Sequence, residues 1–178
     1  MEEKPDRTVS VQRRDGEPWL IAKRSEPADD NGVFPENSKI MSWALVMNRP
    51  LYRCPKCKSP RIRPSKILNT RKNGTRWWVC GNCSKNSNAL EIEKDRAIIS
   101  DLMYITTLPE YRGHGYAQVV LEVAKKMCHR LYTQISASSP EGIATCKKAG
   151  MVERGDALVW EQEGYEVQFK EKKDAEKK

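Results

Sequence analysis

The residues best placed for chemistry are cysteines. Cys54-Pro-Lys-Cys57 and Cys80-Gly-Asn-Cys83 are two C-x-x-C pairs with 22 residues between them. Each pair can turn two thiolates to one side, and four thiolates complete the tetrahedral shell of a single Zn2+ ion. A closed shell leaves no position for substrate, so such a zinc would be structural. Two disulfides are the alternative, and they require an oxidising compartment. Cys128 falls on an apolar helical stripe and reads as core rather than as a fifth ligand.

A second candidate is a backbone feature. Leu108-Pro-Glu-Tyr-Arg-Gly-His-Gly-Tyr-Ala117 follows an apolar strand pattern and precedes an amphipathic helix pattern. A helix start leaves unpaired N–H groups at the positive end of the dipole, which favours an anion such as phosphate. Gly113 and Gly115 let the backbone approach it closely.

The elements that must position these groups follow from patterning. Thr8 to Lys23 predicts a hairpin turning at Asp15-Gly16, and residues 25–38 a loop. Lys39 to Met47 reads as a buried strand, Ala89 to Glu93 and Ala97 to Thr106 as two more. Tyr116 to Leu131 predicts a helix whose Ala117, Val120, Leu121, Ala124, Cys128 and Leu131 share a face, with His129 on the opposite, exposed face. Tyr132 to Ala137 predicts a strand and Gly142 to Ala149 a short helix stopped by Gly150. Leu158 to Trp160 and Tyr165 to Phe169 predict a hairpin around Gly164. Between the cysteine pairs, Asn73-Gly74 is a strong hairpin signal that would return the second pair to the first. The adjacent Trp77 and Trp78 must face opposite sides of their strand.

The charge is uneven. Of the 32 Lys and Arg, eleven lie in Asn48–Leu90, which has no Asp or Glu; the remaining 21 stand against all 24 acids. A basic module on a slightly acidic body is the footprint of a polyanion partner. Arg53, Lys56, Lys58, Arg61, Arg63, Lys66, Arg71, Lys72 and Arg76 are its candidate nucleic-acid contacts. The N-terminus is charged, with no apolar signal region, and the longest apolar run is too short for a bilayer, which leads to an expectation of a cytoplasmic, soluble protein.

Two resemblances arise from these residues. CPKCKSPRIRPSKILNTRKNGTRWWVCGNC resembles the zinc ribbons of many transposases, which implies nucleic-acid binding, DNA first. Arg112-Gly-His-Gly115-Tyr-Ala117, behind Pro109-Glu110-Tyr111, resembles the Arg/Gln-x-x-Gly-x-Gly/Ala signature of the GNAT superfamily of N-acyltransferases. Ala144-Thr-Cys-Lys-Lys-Ala-Gly-Met151 resembles that family's later short helix. The GNAT resemblance spans about Ile98 to Phe169. It implies an α/β (α+β) fold, a mixed and mostly antiparallel sheet flanked by helices, interrupted here by the zinc-ribbon hairpin. The expected layout is 1–47 as the N-terminal part, 48–88 as the ribbon, 89–170 as the acyl-CoA core and 171–178 as a disordered tail.

The same resemblance implies acetyl-CoA or a related acyl-CoA as donor. Arg112, Gly113, His114, Gly115, Tyr116 and Ala117 would hold its pyrophosphate, and Ile105, Thr106 and Thr107 its pantetheine arm. Asp101 is the candidate base. Cys146 stands where the family usually has a Tyr acid; it is either that acid or a small buried residue. Residues 1–50 lack the family's two early helices, so the acceptor is not transferred by resemblance. Three functions follow: an N-acyltransferase whose ribbon docks nucleic acid, as in a phage-type enzyme modifying DNA bases; a protein or small-molecule N-acetyltransferase with a structural ribbon; or a GNAT-fold nucleic-acid-binding protein without catalysis.

Overall fold

A computed structural model describes residues 6–59, 61–65, 77–88 and 90–163 of the chain. Its strands are β1 (Val9–Gln12), β2 (Trp19–Arg24), β3 (Ile40–Arg53), β4 (Ile62–Pro64), β5 (Trp77–Cys80), β6 (Asn86–Asn88), β7 (Glu93–Thr107), β8 (Arg130–Gln134), β9 (Val152–Arg154) and β10 (Ala157–Glu161). Its helices are α1 (Tyr116–Lys126) and α2 (Pro140–Lys148), with a 3-10 turn at Pro109–Tyr111. A seven-stranded sheet runs β1-β2-β3-β7-β8-β10-β9, and β4-β5-β6 form a separate three-stranded sheet. This is the mixed, mostly antiparallel α+β architecture expected: among the described pairings, only β7 with β8 is parallel.

The chain divides into two compact units: Pro50–Ala97 belongs to one, and the described residues on either side of it form the other. In the larger unit, alternation along β3 buries Ser42, Ala44 and Val46, and Ala44 sits opposite Ile21 of β2. Against them α1 turns Val120, Leu121 and Ala124, all fully buried, at helical spacing. Each large apolar side chain so buried contributes about 1.5–3 kcal/mol. α2 starts on Ser139, whose Oγ accepts from the Gly142 N–H at 3.1 Å, with Pro140 in the first turn. It stops at Gly150 with φ +84°, as the Gly150 N–H donates to Lys147 O and the Met151 N–H to Cys146 O.

Several elements differ from the sequence expectation: β3 runs past Met47 to Arg53, β8 is Arg130–Gln134 rather than Tyr132–Ala137, β4 and β6 are not foreseen in it, and α1, β7 and β9 depart most. The helix ends at Lys126 rather than Leu131, and Leu131 is a buried residue of β8. Cys128 and Leu131 are core positions in either geometry, so the apolar period runs on past the true helix end. His129 is therefore not on an exposed helix face: its Nδ1 accepts from the Ile98 N–H at 3.1 Å, and its own N–H donates to Ile98 O at 2.9 Å. The strand expected at 89–93 is not one over residues 90–92, which turn, while the strand expected at 97–106 is the greater part of a longer one, β7, because a charged run such as Glu93–Arg96 can stay extended beside a neighbouring strand. β9, all exposed, carries no apolar signal and pairs with β10 around Gly155. The Asn73-Gly74 turn, the strand at Tyr165–Phe169 and the tail lie outside the described residues.

Candidate active site and metal centre

The parallel pair β7 and β8 opens the site. Their register runs Ile99 to Arg130, Ser100 to Leu131 and Asp101 to Tyr132, and there the described pairing stops although β7 continues to Thr107. Strands that part in this way leave backbone groups facing a cleft instead of each other. The free length of β7 is held from its other side. Fully buried Ser42 donates from Oγ to Thr106 O at 2.9 Å and shares a 2.9 Å bond with Thr107 Oγ1, while the Leu108 N–H donates to Met41 O.

Two cavities meet at this divergence. One, of about 750 Å³, is lined by Arg49, Asp101, Tyr104, Tyr132, Gln134 and Cys146 among others. The second, of about 610 Å³, is lined by Thr107, Arg112, Gly113, Gly115, Tyr116 and Ala117, with Gln118 and Lys148. Ile105, Thr106, Ser139 and Gly142 line both, so they form the junction.

The second cavity contains the cradle. Gly113 and Gly115 have φ of +79° and +78°, a left-handed backbone in which a side chain is strained. No side chain caps α1. The first amide of this helix to find a backbone acceptor is that of Gln118, bonded to Gly115 O at 3.0 Å. The amides of Gly113, His114, Gly115, Tyr116 and Ala117 meet no acceptor among the described residues. His114 lines neither cavity; its Nδ1 lies 2.9 Å from Arg112 O and its ring stacks on Tyr116. Gln118 donates to Thr145 O at 2.9 Å and ties α1 to α2 across the cradle.

Asp101 and Cys146, distant in sequence, line the same cavity. Asp101 is half-buried, and that burial raises its carboxyl above the ordinary range, against the opposing pull of Arg49, whose Nη2 lies 2.6 Å from Oδ2. Arg49 is a site residue that sequence reasoning counted with the ribbon charges. Burial pushes the Cys146 thiol up to about 11, so it is protonated at neutral pH. Ser139 and Gly142 were also missed as lining residues, although Ser139-Pro140-Glu141 is a legible helix-start signal.

The four ribbon cysteines converge in the smaller unit. Their sulfurs lie within 4.8 Å of one another, with Cys54 to Cys83 at 3.7 Å and Cys57 to Cys80 at 3.6 Å. Zinc–sulfur bonds of about 2.3 Å place tetrahedral sulfurs about 3.8 Å apart, so the group fits the ion. The two knuckles repeat one geometry. Cys54 N–H donates to Ser59 O and Lys58 N–H to Cys54 O; Cys80 N–H donates to Lys85 O and Ser84 N–H to Cys80 O. Lys58 and Ser84 occupy equivalent left-handed positions at φ 57° and 58°. A backbone N–H from Ser59 helps draw the Cys57 thiol down to about 6. At Cys83 a similar bond from Lys85 is outweighed by burial and the neighbouring sulfurs, which push it up to about 11. Four sulfurs this close resist full ionisation without a cation among them.

Of the basic candidates, Lys56, Lys58 and Arg63 are exposed, Arg61 is half-buried, and Arg53 donates to Lys58 O. Lys66, Arg71, Lys72 and Arg76 lie outside the described residues. No helix among the described residues is long and apolar enough to cross a membrane.

No family model matches the chain, and no curated protein matches it. Among solved structures, it is similar to a mutant of the AtaT toxin, with TM-score 0.43 and 11% identity over 81% of this chain and 67% of that one. It is similar to the KacTA–DNA complex, with TM-score 0.44 and 6% identity over 83% and 70%. A mutant of KacT gives TM-score 0.42 and 8% identity over 81% and 71%.

Proposed function

We propose that the chain is an N-acyltransferase that moves an acyl group, acetyl first, from acyl-CoA to an amine. The observation that carries this reading is the row of amides from Gly113 to Ala117, none meeting an acceptor among the described residues, beside a cavity that joins a second, carboxylate-bearing one. The amides, with Arg112 nearby, suit a pyrophosphate. The free edge of β7 at Ile105, Thr106 and Thr107 suits the amides of a pantetheine arm, which would direct the thioester to the junction.

The amine enters through the larger cavity. Its nitrogen attacks the thioester carbonyl, a backbone N–H at the strand divergence stabilising the oxyanion. The N–C bond forms, the C–S bond breaks, and the proton lost by nitrogen passes to the Asp101 carboxylate, directly or through water. The departing CoA thiolate takes a proton from the Cys146 thiol or from solvent. The ribbon, held by one structural zinc on Cys54, Cys57, Cys80 and Cys83, would dock a nucleic acid through its concentrated positive charge. A base amine, or an amine held close to nucleic acid, is then the acceptor.

A second reading, a GNAT-fold binding protein without turnover, is favoured by the thiol at Cys146 in place of a phenol. The two are separated by incubating the zinc-loaded chain with radiolabelled acetyl-CoA and DNA, RNA, basic protein or small amines. Transfer to any amine supports the enzyme. CoA binding with label in none of them supports the binding protein.

A further inference from the structure

The lining of the larger cavity selects among amines by charge. Among the described residues that line it, only Arg49 and Asp101 are charged, and they neutralise each other across 2.6 Å. A cationic amine would enter beside the Arg49 guanidinium with no second carboxylate to answer it. The aromatic content points to a flat ring instead. Tyr104 from β7 and Tyr132 from β8 stand on the two strands that part, and both line the cavity. Tyr104 is 51% exposed and Met103 beside it 56%, so both reach the open space of the cavity. The Trp43 ring packs on Tyr104 at 6.5 Å, tilted by 37°, and steadies it from one side.

The proton count agrees with the charge. Asp101 is the one residue of the lining that accepts a proton at neutral pH, since the Cys146 thiol is already protonated. An alkylamine of pKa about 10.4 arrives as the ammonium and must lose one proton before it attacks and a second afterwards. An amine on an aromatic ring arrives neutral and loses one. Reach also agrees. Three residues of strand put about 10 Å between the Cα atoms of Asp101 and Tyr104, a span that a ring stacked on the tyrosine and its amine at the carboxylate can bridge.

We propose that the acceptor is an uncharged amine on a flat aromatic or heteroaromatic ring, stacked on Tyr104 with its nitrogen turned to Asp101. The inference rests on the acyltransferase reading and names the substrate class of that site; nothing in it depends on the ribbon. One N–H proton passes to the Asp101 carboxylate as the N–C bond forms, the thioester C–S bond breaks, and the CoA thiolate takes a proton from the Cys146 thiol or from solvent. Tyr104 makes no bond in this step; it sets which amines are held.

The test uses the full zinc-loaded chain with acetyl-CoA, and follows CoA thiol release with the product confirmed by mass spectrometry. The neutral ring amines are p-toluidine, adenosine and cytidine; the cationic amines are spermidine and Nα-acetyl-lysinamide. The best ring amine should exceed both cations by at least about tenfold in kcat/KM, and its identity tells whether the ring comes from a nucleobase or from a small arylamine. Tyr104→Ala should raise KM for that acceptor by roughly fivefold to a hundredfold, the worth of one stacked ring, with kcat changed far less. Tyr104→Phe should keep the parent KM. Acetyl-CoA binding is titrated for each variant as the check on folding; if Tyr104→Ala loses it, Tyr104→Leu against Tyr104→Phe decides. Turnover that favours spermidine or the lysine amide overturns the proposal alone, as does a ring preference that loss of the Tyr104 ring leaves in place. Transfer to neither class, with acetyl-CoA bound, overturns the acyltransferase reading together with it.

Discussion

The cysteine group and the glycine cradle each offer a place for a charged group, and they do so by opposite means. At the cysteines, four side chains converge within 4.8 Å, and the backbone is bent to suit them, with Lys58 and Ser84 both held left-handed. At the cradle Gly113 and Gly115 supply the left-handed turns at little cost, and the amides from Gly113 to Ala117 meet no acceptor among the described residues. A module too small to fold on buried apolar area needs the first arrangement. A loop braced by buried Ser42 on one side and α1 on the other can use the second.

The largest test of that contrast is Cys80→Ser. Metal binding contributes on the order of 10 kcal/mol in small zinc modules, so bound zinc should fall from one per chain to none and the ribbon should lose its amide protection in hydrogen exchange. Acetyl-CoA binding should persist, because the cradle draws nothing from the metal.

Asp101→Asn comes next, and should lower kcat by roughly a hundredfold to ten-thousandfold. The base acts as its carboxylate, so the rate is lost as pH falls through its pKa. Burial raises that pKa and Arg49 opposes the rise. The acid limb of the pH–rate profile should therefore lie above the ordinary carboxylate range, and Arg49→Ala should move it further up. An unmoved limb would remove Asp101 from this role.

Gly115→Val places a β-branched residue at φ +78°. It should weaken acetyl-CoA by roughly tenfold to a hundredfold while zinc stays at one per chain. The smallest effect is expected at Lys58→Gly, which relieves a left-handed side chain at φ 57°. It should raise ribbon stability by about 1 kcal/mol, read as slower zinc loss to a chelator.

The two regions were also legible to different degrees. The candidate metal group is written in four residues of one type, in two closely spaced pairs, and a reader of the sequence needs no tertiary structure to collect them. The cradle is written in two glycines and an amphipathic stripe, local signals again. What the sequence conceals is long-range. Arg49 meets Asp101 only because β3 and β7 are neighbours in the sheet. The true end of α1 is hidden because Cys128 and Leu131 are buried whether helical or not. The start of β7 hides behind the charges at 93–96, because charged residues give no apolar strand signal even where the backbone stays extended. The mixed sheet is expected from the resemblance at Arg112–Ala117 and Ala144–Met151 together with the strand patterns at 8–23, 39–47 and 97–106, whereas β9 is not foreseen.

Calorimetric titration of the zinc-loaded chain with acetyl-CoA and with S-acetylpantetheine, which lacks the pyrophosphate, addresses the central claim most directly. The account expects one acetyl-CoA site per chain, bound about a hundredfold or more tighter than the truncated thioester, with most of that advantage gone in Gly115→Val. No acetyl-CoA binding, or an advantage that Gly115→Val leaves intact, would contradict it.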